Sequence, residues 1–322
     1  MYALTTDAQT AALNFVVNQS YTVNATAYAT AFPDLDFGRL VYVDTSAPEF
    51  TPGVVTFLSS SVGRAEWYTA AAKDVPRADV TRDKNEVKIH MAAVGYGYDS
   101  EEIGTAQLIG QNLTADKALA ARRAYTEFMW RVTLQGDADK GLQGLATSTN
   151  VTSGSVAANG TGTPNTLWFD GNGTQTKTAA QIVADINGGL TGVFTGSRTV
   201  EMADTIILPY TTIAQLASTP LTSTNSETIL SFILRTNIYT QMTGQQLTIR
   251  GELGLETLGP GNTKLMVIYA NRQDVVKLHL PMPHRFMPVW QDGPMSFQVP
   301  GAFRTGGVEV IRPGAFRYLY GF

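Results

Sequence analysis

The 322-residue chain is 43% apolar and only 16% charged, against a usual charged share of about 25%. Its net charge of −4 excludes a basic footprint for sequence-independent phosphate binding. It has no cysteine, which excludes disulfides, thiolate catalysis and thiolate-bound metals. The length is enough for about two domains' worth of core, and low charge suits a chain that buries much of its surface against neighbours.

Residues 1–45 are largely uncharged, rich in Thr, Asn and Ala, and hold no helical period. They read as an extended arm that gains order by lying on something else. Residues 1–38 contain no Lys or Arg, so they lack the positive n-region of a secretory signal. No run of 18 apolar residues exists, so no membrane contact is expected. The six Asn-x-Ser/Thr sequons (Asn18, Asn24, Asn112, Asn150, Asn159, Asn172) follow from abundant Asn and Thr and carry no argument.

Strands are predicted at Gly53–Leu58 and at Glu86–Met91, the second alternating with period two. Between them the charge is dense and of both signs, with Trp67 and Tyr68 among it. Such a strand–loop–strand arm suits a contact between subunits. Its candidate contact residues are Arg64, Trp67, Tyr68, Lys73, Asp74, Arg77 and Asp79. Asp99 followed by Glu102 fits a capping-box-like helix start. A longer helix is predicted from a Thr114 cap to Gly136, with Ala118, Ala121, Tyr125, Phe128, Met129 and Val132 on one face. Its length would be roughly 30 Å.

Residues 141–176 contain seven glycines and one charge, Asp170, and read as a surface loop or hairpin region. Thereafter helices at 178–187 and 226–239 interleave with strands at 204–208, 246–250, 264–269 and 275–280, an α+β pattern. Five prolines from Pro281 to Pro300 break the chain into short pieces, and residues 307–311 and 316–320 close it as strands.

Chemistry is sparse. His279 and His284 are separated by Pro281 and Pro283, which excludes the i, i+4 zinc geometry on a helix. The hydrolase elbow and the phosphate-binding loop are absent, and Gly95-Tyr-Gly97 fails the dinucleotide pattern at Ser100. Catalytic, cofactor and metal sites are therefore expected to be none.

The runs Lys84–Tyr98, Asp99–Glu102, Lys117–Glu127 and Gly141–Leu145, with Arg304–Gly314 and Tyr318–Phe322 at the end, resemble the major capsid proteins of tailed bacteriophages. The resemblance implies the Hong Kong 97-type fold, also used by encapsulin shells. Its parts would be an N-terminal arm at 1–45, an extended loop (E-loop) at 46–90, a peripheral domain with spine helix at 91–140, an axial domain at 141–270, and a return to the peripheral domain at 271–322. It further implies hexamers and pentamers of the chain around double-stranded DNA that is enclosed without specific binding. Portal, separate scaffold and decoration proteins would be partners; the separate scaffold is implied because no long charged helical segment precedes the arm, the alternative being that such a segment has been removed. An encapsulin-like shell and an uncharacterised hydrolase are the rival readings.

Overall fold

A computed structural model describes residues 33, 35–67, 77–109, 113–222 and 225–322. The strands and helices run in the order β1 (Tyr42–Asp44), β2 (Gly53–Val62), β3 (Asp79–Lys88), β4 (His90–Ala93), β5 (Tyr96–Asp99), α1 (Ser100–Ile109), α2 (Leu113–Gln135), β6 (Gly136–Asp137), β7 (Leu142–Gln143) and β8 (Ser153–Ser155). There follow α3 (Ala179–Gly196), β9 (Thr205–Pro209), α4 (Tyr210–Ser218), β10 (Pro220–Thr222), β11 (Asn225–Thr228), α5 (Ile229–Arg235), α6 (Ile238–Thr243) and β12 (Thr248–Glu252). The chain closes with β13 (Leu265–Tyr269), β14 (Val276–His279), β15 (Met282–Phe286), β16 (Trp290–Gln291), β17 (Ser296–Val299), β18 (Gly301–Thr305), β19 (Gly307–Val310) and β20 (Phe316–Tyr320). Residues 1–32 and 34 of the expected arm lie outside the described residues.

The wall between two cores is the five-stranded sheet β12-β9-β13-β20-β8. Its central strands are largely apolar, and β9 and β13 are buried at every residue, as strands covered on both faces must be. Period-two alternation sends Ile207, Val267, Tyr269, Phe316 and Tyr318 to one side, where they meet Met129, Trp130 and Leu134 of α2. Ile206, Leu208, Met266, Ile268 and Leu319 point to the other side, onto Ile182, Ile186, Leu190 and Val193 of α3. Burying one such side chain contributes about 1.5–3 kcal/mol, so these two layers dominate the stability of the unit.

Helix α2 is 23 residues, roughly 35 Å long. It starts at Leu113, so Thr114 lies inside it and does not cap it. Gly136 ends it with φ +72, where a Cβ would also strike the Leu142 carbonyl. The helix predicted at 178–187 runs on to Gly196, under a full capping box of Thr178 and Gln181. The helix predicted at 226–239 is instead a strand and two short helices. Thr228 caps α5 and Asn237 caps α6, each side chain accepting from a backbone N–H three residues on.

The segment at 141–176 is not simply a surface loop. Trp168 is fully buried against Phe322, ring centroids 4.5 Å apart, and its Nε1 donates to Asp185 at 2.9 Å. Leu40 and Val41, within the stretch read as an arm, are buried in the first core, and the Leu40 carbonyl accepts from the Tyr269 hydroxyl at 2.6 Å.

Candidate assembly interface

The β2–β3 hairpin is longer than the sequence pattern suggested. The strands pair antiparallel over ten residues each, from Gly53↔Lys88 at the root to Val62↔Asp79. The strand predicted at Glu86–Met91 is two: β3 ends at Lys88, and past buried Ile89 the chain passes from the ribbon into the body as β4.

Cross-strand pairs share a face, so the register sorts the side chains. One face carries Val55, Phe57, Val80, Arg82, Lys84, Glu86 and Lys88 and is solvent-facing along its whole length beyond Gly53. Phe57 is 74% exposed there. The opposite face carries Val54, Thr56, Asn85 and Val87 near the root, all half-buried against the subunit's own body. Its only charges are acidic, Asp83 and Asp79. The dense mixed charge of the sequence is therefore separated by the pleat into a predominantly basic face and an acidic one.

Of the residues singled out from sequence, Trp67 is fully exposed at 104%, and Arg64 Nε lies 3.8 Å from Glu66 in an open ion pair. Arg77 and Asp79 are exposed at the start of the returning strand. Tyr68, Lys73 and Asp74 lie outside the described residues. The structure thus leaves four of the candidates on the outer half of the ribbon without a covering element of the same described unit.

The root holds what the sequence reading missed. Sheet β1-β14-β19 turns Val43, Leu278, Val308 and Val310 toward the core and Asp44, Lys277, His279 and Glu309 toward the hairpin. His279 and Glu309 are both buried, and His279 Nε2 lies 2.8 Å from Glu309 Oε2. Thr56 Oγ1 of β2 donates to the same oxygen at 3.0 Å, and Asn85 Nδ2 of β3 donates to Glu309 Oε1 at 2.8 Å. Burial acts to raise the Glu309 pKa. The hydrogen bonds from His279, Thr56 and Asn85, with the attraction of His279, outweigh it and hold the carboxyl below its ordinary value. Gly306 allows the approach, since a Cβ there would stand 3.1 Å from Val87 and 3.2 Å from His279. In sequence, Glu309 is one polar residue between two valines of a predicted strand, and only the alternation of that strand signals that it faces away from the core.

His284 serves packing: its ring stacks on Tyr125 at 5.0 Å and meets Phe286 edge-on at 4.7 Å. Among the described residues no group of three or more His, Asp or Glu side chains could hold a metal ion, and no helix is long and apolar enough to cross a membrane.

An arrangement of two cores sharing one sheet, a long helix and a projecting ribbon is the fold of phage capsid subunits. It matches the capsid of Myoviridae phage XM1 with a TM-score of 0.76 at 15% identity, covering 95% of this chain and 98% of that one. A chain of Mycobacterium phage Ogopogo matches with a TM-score of 0.61 at 12% identity over 99% of both chains. The capsid of an empty GTA particle matches with a TM-score of 0.61 at 8% identity, covering 93% and 94%. No curated protein sequence matches this chain. The family model described as major capsid protein matches residues 63–321, and the chain belongs to that family. It is a structural shell protein and not an enzyme.

Proposed function

We propose that this chain forms the icosahedral head of a tailed double-stranded DNA phage, assembling as hexamers and pentamers in the host cytoplasm and remaining in the virion. The observation that carries the reading is the β2–β3 ribbon. Beyond Leu58 and Asp83 both of its faces are exposed, and a two-stranded ribbon with both faces in water is marginal on its own. A neighbouring copy supplies the missing surface. In that reading residues 46–90 are the extended loop and 1–45 the arm. Residues 91–140 hold the spine helix α2, 141–270 form the axial domain, and 271–322 return to the peripheral domain.

Arg64, Trp67, Tyr68, Lys73, Asp74, Arg77 and Asp79 are the contacts at its outer end, and Phe57 is added to them from its exposure. Portal, scaffold and decoration proteins are the further partners, and the DNA is contained without specific binding. The test is co-expression with the scaffold protein followed by sedimentation. Wild-type chain is expected in fast-sedimenting shells. A variant with residues 59–81 replaced by a short Gly-Ser turn is expected to stay as folded, unassembled subunits. Normal shells from the shortened variant would overturn the assignment of the ribbon.

A further inference from the structure

We propose that Glu309 is the positioning residue of the ribbon, a proton-sensitive anchor that ties both of its strands to the body and fixes the direction in which it projects. The inference rests on the reading of the ribbon as an intersubunit contact. Among the described residues, the side-chain hydrogen bonds from β2 and β3 into the rest of the subunit both end on this one carboxylate, Thr56 on one oxygen and Asn85 on the other. The carboxylate is itself held from below by His279, whose Nε2–H must donate because an ionised carboxylate only accepts. As arranged, all three partners donate to the carboxylate. Loss of the charge, by protonation or by substitution with an amide, turns one acceptor oxygen into a donor, so at least one of the three must reorient or give up its contact.

The groups facing Glu309 are few. From β14 come His279 and, directly opposite in the ladder, Lys277. From β1 comes Asp44, with Oδ2 3.7 Å from Lys277 Nζ and 3.9 Å from His279 Nδ1. A cleft of about 210 Å³ beside the root is lined by Glu309 with Glu86 and Lys88 of β3 and by Lys140. Asp44 is also held below its ordinary carboxylate value: burial raises it, and the hydrogen bonds from Ser46 with Lys277 and His279 lower it further. The lowered Glu309 value fixes the sign. The anchor is intact above the ordinary glutamate value of 4.5 and is lost as pH falls through the lower native value.

The absence of cysteine gives a clean measurement, because introduced cysteines are the sole labelling sites. Spin labels at Ser60→Cys on the exposed half of β2 and Ala124→Cys on the exposed side of α2 report the ribbon's direction in the unassembled subunit. At neutral pH the wild-type background is expected to give a narrow distance distribution, which persists to the ordinary glutamate value and broadens only as pH falls through the lower native one, while the helical circular dichroism persists. Glu309→Gln is expected to be broad at neutral pH and to lose the pH response. Thr56→Val with Asn85→Ala leaves the buried Glu309–His279 pair untouched, and is expected to broaden the distribution likewise. This double variant carries the test if Glu309→Gln does not fold. A narrow distribution in the double variant at neutral pH would overturn the inference. Broad distributions accompanied by wild-type yields of shells would support the anchor and overturn the ribbon's role between subunits.

Discussion

Lys177 Nζ lies 2.6 Å from Asp185 Oδ2, and the two side chains are 0% and 5% exposed. Each side chain has a further partner: Lys177 also donates to the Ala157 carbonyl at 2.6 Å, and Asp185 accepts from Trp168 Nε1. It fastens the glycine-rich stretch at 141–176 to helix α3. Removing one partner of a buried pair costs about 3–5 kcal/mol, because the other charge stays buried and unpaired. Lys177→Met is therefore expected to lower the unfolding free energy by that amount, read as a lower denaturant midpoint, and Lys177→Met with Asp185→Leu by less than the single change. An unchanged midpoint for Lys177→Met would show that the pair does not hold the stretch.

Gly189 explains why α3 outruns its sequence signal. Gly188-Gly189 lies just past the predicted end at 187, and glycine inside a helix costs about 1 kcal/mol relative to alanine. A Cβ on Gly189 would stand 2.3 Å from Ile268 Cδ1 and 2.9 Å from Leu319 Cδ1, so the glycine sits where the helix presses on the sheet. Gly189→Ala is expected to destabilise by about 1–3 kcal/mol through overpacking, despite its better helix propensity. Thermal unfolding of the variant checks the sign, and a raised midpoint would contradict the packing account.

Elements with a strong period were legible: α2, the central strands β9, β13 and β20, and the two-stranded arm. The missed features depend on tertiary contacts. The buried Gly189 of α3, the break at Thr236–Asn237 and the burial of Lys177 have no local signature. In the candidate site, the residue types of the ribbon were legible. Its two-faced charge needed the register, and Glu309 needed a partner 253 residues away in Thr56.

Trp67 has no packing role in its own described unit at 104% exposure. Trp67→Ala is expected to leave circular dichroism and subunit melting unchanged. It should reduce shell yield or shell heat resistance, because buried aromatics at an interface carry much of its energy. Shells of unchanged yield and melting temperature would remove Trp67 as an anchor and move the search to residues 1–45.

With a net charge of −4, free subunits are expected to bind double-stranded DNA weakly at physiological salt. A filter-binding or anisotropy titration across salt checks this. Tight binding with a steep salt slope would contradict containment without specific contact.

The central claim is that copies of this chain close into a shell, and an electron micrograph of the purified protein, co-expressed with its scaffold, tests it most directly. The account predicts closed particles of uniform size built from six-fold and five-fold capsomers. Compact monomers at high concentration, with no shells even when scaffold is supplied, would contradict it.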